Sequence, residues 1–331
     1  MTGLAVKNII QAIRDTMYEE MARDERVILL GEDVGVHGGV MNASEGLLAA
    51  FGRDRVIDTP IAESSIVGIA IGAALGGLLP IAEIQFADFV LSAVDQLISE
   101  AAKMRYRSNN DYHCPIVVRL PYGGGITGGL YHSQCVEAIF FSTPGLKIVA
   151  PTTPADVKGL LRAAIHDPDP VLFLEHKLSY RLIKGEYPEG EYTLPIGKAD
   201  IKRVGKDLTV VSYGMTMHYA LNAAAQLYEE EGIDVEVVDL CTLLPLDRET
   251  IVESVKKTGK LLIVHEDNLT GGIGGEIAAT VADQAFMYLD APIKRLAAPD
   301  IPSTPYSPVL EHAMLPGEED VKAAILDLAR Y

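Results

Sequence analysis

With 331 residues, 48% of them hydrophobic, the chain can bury two cores of ordinary domain size, which excludes intrinsic disorder. A formal net charge of −18 argues against a nucleic-acid backbone as partner, since that calls for a basic face; it suits a basic protein partner, or simply solubility. Three scattered cysteines (Cys114, Cys135, Cys241), with no CxxC pair and no histidine cluster nearby, set aside a disulfide framework and a zinc site and predict a reducing compartment.

The chain opens on an amphipathic helix over 6–23, with Ile9, Ile10, Ile13, Met17 and Met21 on one face. Asp15, Glu19 and Glu20 interrupt its apolar positions, so it reads as neither signal nor transit peptide. The most apolar stretch, Ile66 to Leu79, is shorter than the roughly 20 residues a bilayer requires, and the expectation is a soluble, cytoplasmic protein. Val27 to Leu30 is a buried strand, ended by Gly31-Glu32-Asp33 and a glycine-rich run to Gly39. Val56-Ile57 is the next, closed by Asp58-Thr59-Pro60. Ser64-Ser65 is expected to cap the helix that follows. That helix carries Gly68, Gly72, Ala73, Ala74, Gly76 and Gly77, whose glycines cost helix propensity and whose small size admits another backbone, predicting a tight helix–helix interface.

Ile81 to Ile84 reads as a strand, and Val90 to Tyr106 as a helix with Val90, Val94, Leu97, Ile98, Ala101 and Met104 inward. Strands at 116–120, 147–150 and 171–174 complete a set that implies a parallel sheet covered on both faces. A Pro-, Gly- and charge-rich stretch is read as a linker over 186–206. Beyond it, strands at 208–212, 235–238, 261–264 and 293–296 alternate with helices at 215–231, 250–257, 274–283 and 321–331. The predicted architecture is α/β, two doubly wound domains at 1–185 and 207–331.

Glu63 lies between a strand end and a helix start, where open α/β sheets bind ligands. In isolation it fits equally well as an acid in a helix first turn, favoured by the helix dipole. Glu32-Asp33 either caps a helix or lines a site, and Phe86 and Phe89 serve a core or a cofactor platform. Gly123 to Gly128 fits GxGxxG, but a dinucleotide site also needs a helix opening at the third glycine and an acid about 20 residues on. Tyr131-His132-Ser133-Gln134 follows instead, and PGLKIV (144–149) carries no acid, so the glycines are read as a flexible loop presenting His132. His132 fits a solvated surface position as well. Walker A, HExxH and GxSxG patterns are absent.

Taken together, GEDVGVHGGV (31–40), RVIDTPIAES (55–64), IAEIQFADF (81–89), DQLISEAAKMRYRS (95–108), PYGGGITGGLYHSQ (121–134) and TPGLKIVAPTTPADVKGLL (143–161) resemble the β subunits of thiamine-diphosphate-dependent 2-oxo acid dehydrogenases. The resemblance continues through DLTVVSYG (207–214), EVVDLCTLLPLD (236–247) and LDAPIKRLAAPDIP (289–302), essentially the whole chain. It implies a pyrimidine-binding domain followed by a transketolase C-terminal-like domain. RYRSNND (105–111), EHKLSYRLIKGE (175–186) and PDIPSTPYSP (299–308) are similar to the bacterial branched-chain enzymes more than to the pyruvate or acetoin ones. By resemblance, Glu63 hydrogen-bonds N1′ of the cofactor's aminopyrimidine, Phe89 stacks on that ring, and Ile61 and Glu32 contact the cofactor. His132 orients the substrate carboxylate or the lipoyl group. Ile116, Ala164, Ile165, Asp167 and Asp169 match positions that hold potassium in some relatives. The chain departs from the wider thiamine family in having no GDG motif with a downstream Asn pair. The implied assembly is therefore an α2β2 heterotetramer whose α subunit holds the diphosphate and Mg2+, and whose C-terminal domain docks a basic domain of the lipoyl-bearing acyltransferase core. A non-catalytic docking scaffold is the alternative from another class.

Overall fold

The computed structural model describes residues 5–331 and divides into two compact units, one of the described residues up to Tyr122 with Phe140–Ile196, the other of Gly123–Ile139 with Gly197–Tyr331. The segment 123–139, which the sequence reading assigns to the first domain, groups with the second unit.

The first unit contains strands β1 (Ala5–Asn8), β2 (Val27–Gly31), β3 (Val56–Asp58), β4 (Leu79–Glu83), β5 (Val117–Tyr122), β6 (Lys147–Val149), β7 (Val171–His176) and β8 (Lys184–Tyr187). Six of them run parallel in the order β6-β7-β5-β4-β2-β3. β2, β4, β5 and β7 are buried along their whole length, as a sheet covered on both faces requires. β1 and β8 pair antiparallel apart from this sheet; their charged, half-exposed residues give no apolar pattern to read. β1 also explains why the first helix, Ile9–Arg23, starts later than its apolar face suggests. Asn8 caps it, its side chain accepting from the Gln11 N–H at 2.8 Å while the Gln11 side chain accepts from the Asn8 N–H at 3.0 Å.

Two expectations need correction. Ser64 and Ser65 lie inside the first turn of the helix Glu63–Leu75, which begins after Ala62 without a side-chain cap. The helix expected from Val90 to Tyr106 is a broken series: 3-10 over Ala87–Ala93, π over Asp95–Glu100, 3-10 over Ala101–Lys103 and α over Met104–Arg107. Val90, Leu97, Ala101 and Met104 are buried as expected. The main chain at Gly145 abuts this series so closely that a Cβ there would lie 2.0 Å from the Ala102 carbonyl oxygen. Irregular winding lets the apolar face and this close approach coexist.

The second unit holds β9 (Asp200–Arg203), β10 (Leu208–Ser212), β11 (Val235–Asp239), β12 (Thr242–Leu244), β13 (Leu261–Asn268) and β14 (Lys294–Ala298). Its sheet order is β14-β13-β10-β11-β9, parallel except for the edge strand β9. β9 falls within the stretch read as a linker, because a charged edge strand carries no apolar run. The core packs Leu208, Val210, Val237, Leu262 and Val264 against the helices Gly214–Glu231 and Glu318–Ala329. Among the described residues no helix is long and apolar enough to cross a membrane.

Each sheet has a reversal of strand order beside its first central strand. In the first unit the chain runs from β2 out to β3 and returns to β4 on the other side of β2. In the second it runs from β10 to β11 and returns to β13 across β10. Crevices for ligands lie outside the carboxyl ends of strands at such reversals.

Candidate active site

Three strand ends build the crevice of the first unit. β2 ends at Gly31, where a Cβ would lie 2.7 Å from the Glu83 carbonyl oxygen on β4, so only glycine fits. Glu32 follows at once. Burial first, then the neighbouring Asp33 and Glu63 carboxylates, push its carboxyl above the ordinary carboxylate range. Glu32 and Glu63 thus share one electrostatic environment. Asp58, at the end of β3, accepts the Gly35 N–H at 2.6 Å and the Val36 N–H at 3.2 Å, which pins the loop after β2 over β3. Asp58 is a positioning group that the sequence reading treats only as part of a turn.

Glu63 is the first residue of its helix and half-buried. The helix dipole favours an acid there. Its Oε2, however, accepts a hydrogen bond from Ser92 Oγ at 3.1 Å, in the segment after β4. The carboxylate is therefore oriented across the crevice. Phe86 and Phe89 stand on the same segment, edge to face with centroids 6.1 Å apart and both half-buried. The Lys177 ammonium lies 5.9 Å from the centre of the Phe86 ring. Ile61, 75% exposed, sits on the turn into the helix. Glu32, Ile61, Glu63 and Phe89 thus all follow the carboxyl ends of β2, β3 and β4.

Behind these strand ends Arg119 on β5, fully buried, joins β4 to β7. It donates to both oxygens of Glu175, at 2.6 and 2.8 Å, and to Glu83, while Tyr180 OH donates to Glu175. Burial outweighs the guanidinium for Glu83, whose carboxyl is raised.

The residues matching a potassium site are differently engaged. Lys147 donates to both Asp167 carboxylate oxygens at 2.6 and 2.7 Å, and Arg105 donates to Asp169 at 2.8 Å. The Ile116 carbonyl accepts the Val171 N–H at 2.9 Å, and the Ala164 carbonyl accepts the Asp167 N–H at 3.2 Å.

His132 belongs to the second unit, half-buried after the short turn Gly129–Tyr131. The expected flexible glycine loop is instead hydrogen-bonded along its length. Glu266 accepts the Gly124 N–H, and Glu311 accepts those of Gly125 at 2.8 Å and Thr127 at 3.0 Å. The amides that would cradle a phosphate are occupied by carboxylates, which removes the physical basis of a dinucleotide site. No sequence motif marked Glu266 or Glu311, since both lie more than 140 residues away along the chain.

The chain matches two family models, the transketolase pyrimidine binding domain over residues 6–183 and the transketolase C-terminal domain over residues 197–321. It is 58% identical to the 2-oxoisovalerate dehydrogenase subunit beta of Bacillus subtilis, across 99% of this chain and 100% of that protein. The pyruvate dehydrogenase E1 component subunit beta of the same organism is 47% identical, covering 96% of this chain and 97% of the relative. The acetoin:2,6-dichlorophenolindophenol oxidoreductase subunit beta, also from Bacillus subtilis, is likewise 47% identical, covering 98% and 97%. In three dimensions a split-gene transketolase, described as an inactive beta4 tetramer, superposes with a TM-score of 0.77 at 22% identity, covering 98% of each chain, which is a likeness of fold. With both domain models in order along the chain and relatives this similar at nearly full length, the protein belongs to the thiamine-dependent 2-oxo acid dehydrogenase β-subunit family.

Proposed function

We propose that this chain is the β subunit of a branched-chain 2-oxo acid dehydrogenase, acting in the cytoplasm on acids such as 2-oxoisovalerate. The observation that carries the substrate class is the 58% identity to a 2-oxoisovalerate dehydrogenase β subunit, against 47% for the pyruvate and acetoin relatives. The crevice at the β2–β4 reversal fits the pyrimidine end of thiamine diphosphate: a carboxylate for a ring nitrogen, a second acid beside it and aromatic faces for stacking. When bound, the cofactor supplies the carbanion-stabilising chemistry of decarboxylation. Glu63 shares a proton with N1′ of the aminopyrimidine, and the Ser92 hydroxyl fixes the carboxylate for that task. Phe89 offers its face to the ring. Glu32 and Ile61 border the same pocket. His132 orients the substrate carboxylate and moves a proton at the lipoyl sulfur.

Among the described residues of this crevice no trio of metal-ligating side chains occurs, so the reading assigns Mg2+ and the diphosphate to an α subunit. A potassium ion at Ile116, Ala164, Ile165, Asp167 and Asp169 would share oxygens already engaged, since both carboxylates are ion-paired and the Ile116 and Ala164 carbonyls accept backbone N–H groups. Packing against other subunits in an α2β2 heterotetramer is supported by the exposed face of the helix Glu63–Leu75, where Gly68, Ile69, Gly72 and Leu75 lie open. The net charge of −18 favours docking of a basic domain of the acyltransferase core.

The test is to co-express the chain with an α subunit and compare kcat/KM for 2-oxoisovalerate and pyruvate. We expect a preference for 2-oxoisovalerate of at least about 10-fold, since each extra methyl group in an apolar pocket contributes roughly 1–3 kcal/mol. A preference for pyruvate would remove the branched-chain assignment and leave the family intact.

A further inference from the structure

We propose that Glu311 and Glu266 are positioning residues for His132, and that the ligand crevice of the C-terminal unit serves to hold the histidine loop. The proposal rests on the role given to His132 above. The order reversal between β10 and β13 marks where an open sheet ordinarily receives a ligand. Tyr213 follows β10 there, and β13 presents His265, Glu266 and Asp267. The chain's own segment 123–139 lies against this place, with Gly124 N–H donating to Glu266 and Tyr213 OH donating to Glu137.

Both limbs of the segment are fastened. On the incoming limb, Glu266 accepts the Gly124 N–H, and Glu311, only 4% exposed, accepts those of Gly125 and Thr127. Gly123, Gly125 and Thr127 have φ of 83°, 79° and 58°, left-handed values that turn successive amides toward one side and form an anion nest. Thr127 is β-branched and strained at this φ. The two carboxylate oxygens of Glu311 hold it there. On the outgoing limb, the Gln134 amide donates to Ser303 Oγ at 2.6 Å, Thr304 Oγ1 donates to the Ser133 carbonyl at 3.3 Å, and Tyr213 OH donates to Glu137 at 2.6 Å. Gly129 lies against Tyr306, 2.7 Å from where its Cβ would be. His132 stands between the two fastened limbs. Its placement depends on carboxylates that are distant in sequence, and the segment PDIPSTPYSP supplies part of the seat.

The experiment uses the assembled enzyme with its α subunit. E311A is expected to slow reductive acylation of a lipoyl domain by up to about 100-fold, the range for a small misplacement of a catalytic group, and to shift KM for the 2-oxo acid in the same direction as H132A and by no more. In an H132A background the E311A change is expected to cost nothing further, because residues acting as one unit are non-additive. E311Q, which keeps one acceptor, falls between wild type and E311A. E266Q serves as a second probe should E311A not assemble. Hydrogen exchange at residues 123–127 is expected to accelerate in each glutamate variant while exchange in β10 and β11 stays unchanged. Additive losses in the double variant, or unchanged exchange at 123–127, would overturn the proposal. An H132A enzyme as fast as wild type would instead remove the role given to His132, a result the exchange data distinguish from failure of the clamp.

Discussion

On the proposed function, Glu63 is a carboxylate used for chemistry as well as for its helix. At the first helical position the dipole favours it, yet the Ser92 hydroxyl turns it across the crevice and Glu32 stands close enough to feel its charge. A neutral amide of the same shape keeps the packing and loses the proton-sharing group. Glu63→Gln, assembled with its α partner, is therefore expected to lower kcat for decarboxylation by roughly 10²–10⁴-fold, the usual range for a general acid–base group. The same change removes one of the charges that raise Glu32, so the Glu32 carboxyl should titrate closer to its ordinary value, as read by NMR. Turnover of Glu63→Gln at the wild-type rate would sink the catalytic reading.

At the level of elements, the helix-and-strand alternation was legible because buried parallel strands are continuous apolar runs, as in β2, β5 and β7. β1, β8 and β9 were not, since strands with half-exposed, charged residues carry no such run. The crevice residues Glu32, Glu63 and Phe89 were legible from their places after strands. Asp58, Glu266 and Glu311 act through main-chain amides, and an acceptor for backbone N–H groups leaves no pattern in the sequence. The seating of the histidine loop carries its own pH signature. Glu137 accepts from Tyr213 and lies near Asp267 and Glu266; burial first, then Asp267, pushes its carboxyl up to about 8. In the unfolded chain the same group ionises near 4.5. A raised carboxyl favours the folded state while protonated, so its contribution is lost progressively as the pH climbs between those two values. Glu137→Gln cannot ionise. The melting temperature of the variant relative to wild type is thus expected to rise from pH 5 to pH 8.5, and a difference independent of pH would contradict the assignment.

For the molecule as a whole, the two sheet reversals have different uses, and that difference bears on what the chain can bind alone. The reversal in the first unit has Glu32, Glu63 and Phe89 after its strand ends; the one in the second has residues 123–139 hydrogen-bonded to Tyr213 and Glu266 beside it. The glycine-rich amides, the main-chain group best suited to a diphosphate, are spent on Glu266 and Glu311. On the proposed function, this chain grips thiamine diphosphate only by its pyrimidine end. Holding half of a doubly charged ligand leaves its ordering cost largely uncompensated, so affinity for the isolated chain should be weak. Titration of the chain alone with thiamine diphosphate and Mg2+ is expected to give no saturation below about 1 mM and no shift in melting temperature. The assembly with an α subunit should bind in the micromolar range, and ligand at about 100 times Kd should stabilise it by roughly 2.7 kcal/mol through mass action. If the isolated chain were stabilised as strongly as the assembly, its first-unit crevice would have to contain a diphosphate site of its own, and the assignment of that end of the cofactor to another subunit would fall.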